Sequence, residues 1–150
     1  MNVYDTLKKL NLTLPKAPEK GGVYSPCVRF DGNLLYVSGC GCVIGEPVLG
    51  KLGADLTIEQ GQEQARNCAL NILAVLERET GDLNRITKCV KLLAFVAGTD
   101  TFYQQPQVAN GASTLLVELF GEAPARSAIG VNALPGNIPV EIEGIFEMAD

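Results

Sequence analysis

A single long amphipathic helix, closed at both ends by its own sequence, is the feature that most limits what this chain can fold into. Thr57 followed by Gln60 has the spacing of a capping box, in which each side chain satisfies a backbone N–H of the other residue. The helical pattern runs to about Thr80, and Gly81 stands where a left-handed residue would end it. Between these signals Ala65, Ala69, Ile72, Leu73 and Leu76 recur at helical spacing and make one buried stripe. Such a stripe needs a flat apolar partner. The next segment, "ITKCVKLLAFVA" at 86–97, reads as a strand whose later half is apolar on both faces, which predicts a central position in a sheet.

The other elements follow from that pair. Val3, Leu7 and Leu10 share a face of a short N-terminal helix with Asn2 as its cap. "LTLPKAPEKGG" then reads as an extended arm over the domain, so that residues 1–22 form a helix and arm. "VYSPCVRF" and "LLYVSG" flank "DGN" as a hairpin, and "CVIGEPVLGKLGAD" reads as a short strand and loop. After "TDTFYQQPQ", Val108, Ala112, Leu115, Leu116 and Leu119 give a second helix that overrides the turn signal of Asn110-Gly111. The expected order is β-β-(β)-α-β-α-β-β in one domain over 1–150: an α+β two-layer sandwich, a mixed sheet with two helices on one face. Its second face would lie open, which points to an oligomer.

Composition narrows the chemistry. The net charge is −5 with no basic cluster, which disfavours nucleic acid as a partner. No run is long and apolar enough to span a membrane, and "MNVYDTLKKLNL" is not a signal peptide, so the chain reads as cytoplasmic. There is no histidine, so proton transfer falls to carboxylate, Tyr, Cys, Lys or water. Five cysteines without regular spacing argue against a disulfide framework, and Cys40 and Cys42 lack the partners of a zinc site. No metal is expected.

The segment "ARSAIGVNALPGNIPVEIEGIFE" at 125–147 carries the candidate chemistry. Alternation separates Arg126, Ala128, Gly130 and Asn132 from Ser127, Ile129 and Val131. With the second set taken to face the helices, Arg126 lies on the open face beside small residues. There its planar guanidinium could hold a carboxylate, or pair with Glu141 or Glu143 of its own chain. Those two glutamates share a face and could serve acid–base work or be a solvated strand surface. Tyr24 and Ser38 offer hydroxyls without an adjacent base.

Together "GGVYSP", "YVSG", "NGAS", "APARSAIGV" and "LPGNIPVEIEGI" resemble the Rid family, also called YjgF-like proteins, over nearly the whole chain. The N-terminal helix and arm resemble a longer branch of it. The resemblance implies a chorismate-mutase-like fold, a homotrimer with intersubunit clefts, and hydrolysis of 2-imino acids to 2-oxo acids and ammonia without a cofactor. It implies that Arg126 holds the substrate carboxylate and that Glu141 stands near the attacking water. Tyr24, Ser38, Asn110 and Ala128 would line the cleft. Ala128 replaces a common Cys, and Cys40 replaces the usual Gln after Ser-Gly. A non-catalytic carboxylate binder and an endoribonuclease are the rival functions.

If 125–133 and 139–147 paired as a hairpin about Gly136, Arg126 would face Phe146 and Glu141 would face Val131. The two would then lie about 17 Å apart at roughly 3.4 Å per residue, and could converge only across a subunit interface.

Overall fold

The structure, a computed structural model, describes residues 2–150. Helix α1 (Val3–Lys9) is capped by Asn2, whose side chain accepts from the N–H groups of Tyr4 and Asp5. Val3 and Leu7 are buried, whereas Leu10 is its partly exposed C-cap. The arm that follows carries no helix or strand, and its Leu12, Leu14 and Ala17 rest against the core. Strands β1 (Cys27–Phe30) and β2 (Leu34–Gly41) form the expected hairpin. Asp31 and Gly32 both adopt positive φ in its turn.

Helix α2 (Ile58–Thr80) has both halves of the Thr57–Gln60 capping box and ends at Gly81 with φ 81°. It is followed by β3 (Ile86–Ala97), α3 (Gln105–Phe120), β4 (Ala125–Val131) and β5 (Val140–Met148). The sheet order is β1-β2-β5-β3-β4. The helices α2 and α3 pack on one face over Leu92, Ala94, Val96, Val140, Ile142 and Phe146, all nearly inaccessible. This is the expected two-layer α+β sandwich, and β3 is interior as its apolar run requires.

Two local expectations fail. Residues 42–55 form no strand; Leu52 makes only isolated bridges to Leu56 and Gly98. The segment's backbone is held by scattered bonds: the buried Asn71 amide donates to the Gly41 and Val43 carbonyls at 3.0 and 3.2 Å, and the Gly50 and Leu52 N–H groups donate to the Asn137 and Ala97 carbonyls. Nor do β4 and β5 form a hairpin. Strand β4 pairs parallel with β3, across the α3 crossover, while β5 lies between β2 and β3. A β-α-β unit places its two strands side by side, so β4 takes the free edge of β3. The turn at Pro135–Asn137 then carries the chain across to the middle of the sheet rather than back along β4.

The face opposite the helices carries an apolar set interrupted by charges. Its rows run Val28–Tyr36–Ile145–Lys91, Glu143–Leu93–Ser127 and Glu141–Phe95–Ile129, with Val28 and Ile129 at 53% and 43% exposure. Among the described residues no helix is long and apolar enough to cross a membrane.

Candidate functional site

Glu141 stands on β5, where strict alternation buries Val140, Ile142, Gly144, Phe146 and Met148 under the helices. Its side chain therefore takes the open face. The neighbouring β2 carries a bulge there: it advances from Val37 to Cys40 while β5 moves only from Gly144 to Ile142. The extra residue re-aims Ser38 and Gly39. A Cβ on Gly39 would lie 2.7 Å from Glu141 Oε2, so only glycine leaves space for that carboxylate.

The bulge also ties down the preceding loop. Ser38 Oγ donates to the Ser25 carbonyl at 2.6 Å, and Ser38 N–H donates to Pro26 at 2.9 Å. Tyr24 is folded back on the arm, its hydroxyl accepting from Gly21 N–H at 2.9 Å. Tyr24, Ser38 and Glu141 thus line one cavity of about 240 Å³, with Lys20 of the arm, Cys40 and Ile138 on its walls. Burial, and then the charge of Glu143, raise the proton affinity of the Glu141 carboxyl above the ordinary value. The Cys40 thiol is pushed up to about 12, chiefly by burial, and stays neutral.

Arg126 belongs to a second cluster. Its parallel register places Arg126, Ala128 and Gly130 level with Leu92, Ala94 and Val96, which face the helices. Arg126 is therefore on the helix side of the sheet, and the expectation that it shares the open face with Glu141 is corrected. Its Nη1 donates to Asn110 Oδ1 at 2.7 Å and to Ser113 Oγ at 3.1 Å, both on α3. The small residues beside it have another cause: Ala128 packs against the core, and a Cβ on Gly130 would meet the Gln105 side chain at 2.8 Å. Ser127 and Ile129, read as helix-facing, line up with Leu93 and Phe95 on the open face.

One chain thus brings together Tyr24, Ser38 and Glu141 at one place, and Arg126, Asn110 and Ala128 at another. The first group can hold a small molecule and take a proton. The second presents a guanidinium aimed by two neutral acceptors, a grouping suited to an anion. Sequence reasoning missed Gly39, Ser113 and Lys20; "YVSG" and "NGAS" held the first two, and no pattern points to Lys20. Among the described residues no His/Cys/Asp/Glu group is placed to hold a metal ion.

The family described as "Endoribonuclease L-PSP" matches residues 14–148. Protein TCP17 of Trypanosoma cruzi is 39% identical over 147 residues, covering 95% of this chain and 91% of its own length. A 2-iminobutanoate/2-iminopropanoate deaminase of Dermatophagoides farinae is 30% identical over 138 residues, covering 89% and 92%. The crystal structure of Atu1372, a protein of unknown function from Agrobacterium tumefaciens, superposes with a TM-score of 0.87 at 39% identity, covering 97% of this chain and 91% of that one.

Proposed function

Since the chain belongs to the endoribonuclease L-PSP family, the Rid or YjgF-like proteins, we propose that it is a hydrolytic deaminase of small 2-imino acids. The observation that carries this reading is the Glu141 carboxylate, set in a small cavity with its proton affinity raised. A carboxylate whose proton affinity is raised is a stronger base toward water than an ordinary glutamate, which is what water activation needs. The similarity to a protein named as an imine deaminase supports the same reaction.

In this reading Arg126 of one copy holds the substrate carboxylate, and Glu141 of the next copy holds water. Water oxygen attacks the iminium carbon, the C=N electron pair moves to nitrogen, and Glu141 takes the water proton. Glu141 returns that proton to the amine nitrogen. It then accepts the hydroxyl proton as C=O forms and ammonia leaves, and the last transfer gives ammonium and the 2-oxo acid. An iminium carbon is already electrophilic, so positioning and one carboxylate suffice, with no cofactor or histidine. The apolar open face of the sheet is the surface through which three copies would assemble.

An RNA substrate is less well supported. Cavity residues Glu19 and Glu141 would repel phosphate, and Lys20 is the one cation on its walls. The test is ammonia release from 2-iminopropanoate generated in the assay by an amino-acid oxidase. Acceleration over buffer is expected. Saturable binding of 2-oxo acids without acceleration would overturn the deaminase in favour of a carboxylate-binding protein.

A further inference from the structure

The open sheet face holds a second carboxylate with a fixed position. Glu143 follows Glu141 on the same side of β5, and the Tyr36 hydroxyl of β2 donates to Glu143 Oε2. The Glu143 charge opposes ionisation of Glu141 on a face whose near neighbours include the uncharged Leu93, Phe95 and Ile145, with Lys91 level with Ile145. The usual role for a tyrosine–glutamate pair on a strand is cross-strand stabilisation. Here the pair has a further consequence, because it fixes a carboxylate two residues along the face from Glu141, whose Oε2 fills the space that Gly39 leaves.

We propose that Tyr36 and Glu143 are positioning residues for Glu141: Tyr36 pins the Glu143 carboxylate, whose fixed negative charge makes Glu141 a stronger base toward water. The proposal rests on the deaminase reading for its chemical consequence. Besides burial, the Glu143 charge is what shifts Glu141, although other charges lie nearby. From the arm come Glu19, Lys20 and the Tyr24 hydroxyl; from β2 comes the neutral Cys40 thiol. From β3 comes Phe95, which bears no charge; α2 contributes Val75 to the cavity and Arg78 near Cys40. Lys91 of β3 lines a pocket of about 140 Å³ with Tyr36 and Glu143. Tyr36 keeps its proton, since donation to Glu143 raises its own proton affinity first, followed by burial.

The experiment is a carbon-13 NMR titration of glutamate carboxyls in the intact assembled protein, alongside the pH profile of ammonia release. Glu143→Gln is nearly isosteric and should move the Glu141 midpoint and the acidic limb of kcat/KM down by about half a pH unit or more. The plateau rate should fall about two- to fivefold, as a weaker base requires. Glu143→Asp keeps the charge and should hold the midpoint near wild type. Tyr36→Phe should move it less than Glu143→Gln, in the same direction, and add nothing in the Glu143→Gln background. A Glu141 midpoint unmoved by Glu143→Gln overturns the proposal. A wild type that releases no ammonia overturns the deaminase reading instead, and the NMR arm still decides whether Glu143 controls Glu141.

Discussion

Arg126 and Glu141 lie on opposite faces of the same sheet. Arg126 is level with Leu92 on the helix side; Glu141 is level with Phe95 on the open side, with β3 between their strands. Two strand spacings and three residue steps put their Cα atoms about 14 Å apart, and the side chains diverge from there. An ion pair between them within one chain is excluded by geometry. The guanidinium instead rests on Asn110 and Ser113, which leave its other donors for an anion.

Arg126→Lys should therefore fail despite keeping its charge. Lysine lacks the planar fork that can hold α3 and a carboxylate together. Loss of charge-assisted hydrogen bonds of roughly 1.5–3 kcal/mol corresponds to a rise in KM of about 10- to 100-fold. Asn110→Ala should raise KM in the same direction but less, since the charge stays and only its aim is lost. Steady-state kinetics on 2-imino acids separates the two, and wild-type KM in Arg126→Lys would remove the arginine from the site.

Glu141→Gln should slow turnover by about 10²- to 10⁴-fold, the usual range for loss of a general base. It should also stabilise the fold at neutral pH. The folded-state proton affinity of Glu141 is raised, so the folded protein favours the protonated form, and ionisation costs stability. That group's favourable contribution is present below its unfolded value of 4.5 and is lost as pH rises through the folded value. Glutamine mimics the protonated state at every pH. The variant should melt on the order of 1–2 °C higher at pH 7, with the gain vanishing below the unfolded value. A variant that melts lower at neutral pH would mean that the charge is stabilised in place.

Gly111→Ala tests the packing of the helix layer. A Cβ at Gly111 would stand 2.0 Å from the Gln62 carbonyl oxygen of α2, and backbone cannot move aside as a side chain can. The α2–α3 contact must open, at a cost of about 3 kcal/mol or more. Thermal unfolding should drop by roughly 6–12 °C. The same substitution at Gly45, where nothing lies within 4 Å, should cost less and only through its φ of 73°.

Gly111 also shows why part of the molecule was legible in the sequence and part was not. Asn110-Gly111 looks like a turn, yet apolar spacing placed it in a helix, and the glycine is there for a close helix crossing. Signals that are local and periodic, such as the Thr57 box, the α2 stripe and the β5 alternation, read correctly because they do not depend on partners. The pairing of β4 does depend on a partner, and "LPGN" between two strands suggests a hairpin whatever the sheet order. The face of Arg126 failed for a related reason. At a sheet edge Ile129 is left on the open side, so apolar character no longer marks the helix side. Tyr24, Ser38 and Glu141 line one cavity, yet no spacing in the sequence joins residues 24, 38 and 141, and only the family resemblance named them together.

The separation of Arg126 from Glu141 makes a last prediction about assembly. If each site takes Arg126 from one copy and Glu141 from the next, two inactive variants can rescue each other. Arg126→Ala chains still carry an intact Glu141, and Glu141→Gln chains an intact Arg126. Subunits unfolded together, mixed equally and refolded should form rings in which about a quarter of the junctions join the two intact halves. Activity should therefore recover to about a quarter of wild type per subunit, against almost none for either variant refolded alone. Recovery must also require exchange, so mixing the folded variants without unfolding should give no immediate rescue. The absence of rescue after verified subunit exchange would place both residues' work within one chain. That outcome would demand a rearrangement of β4 and β5 relative to the sheet order found here, because the present register keeps the two side chains on opposite faces.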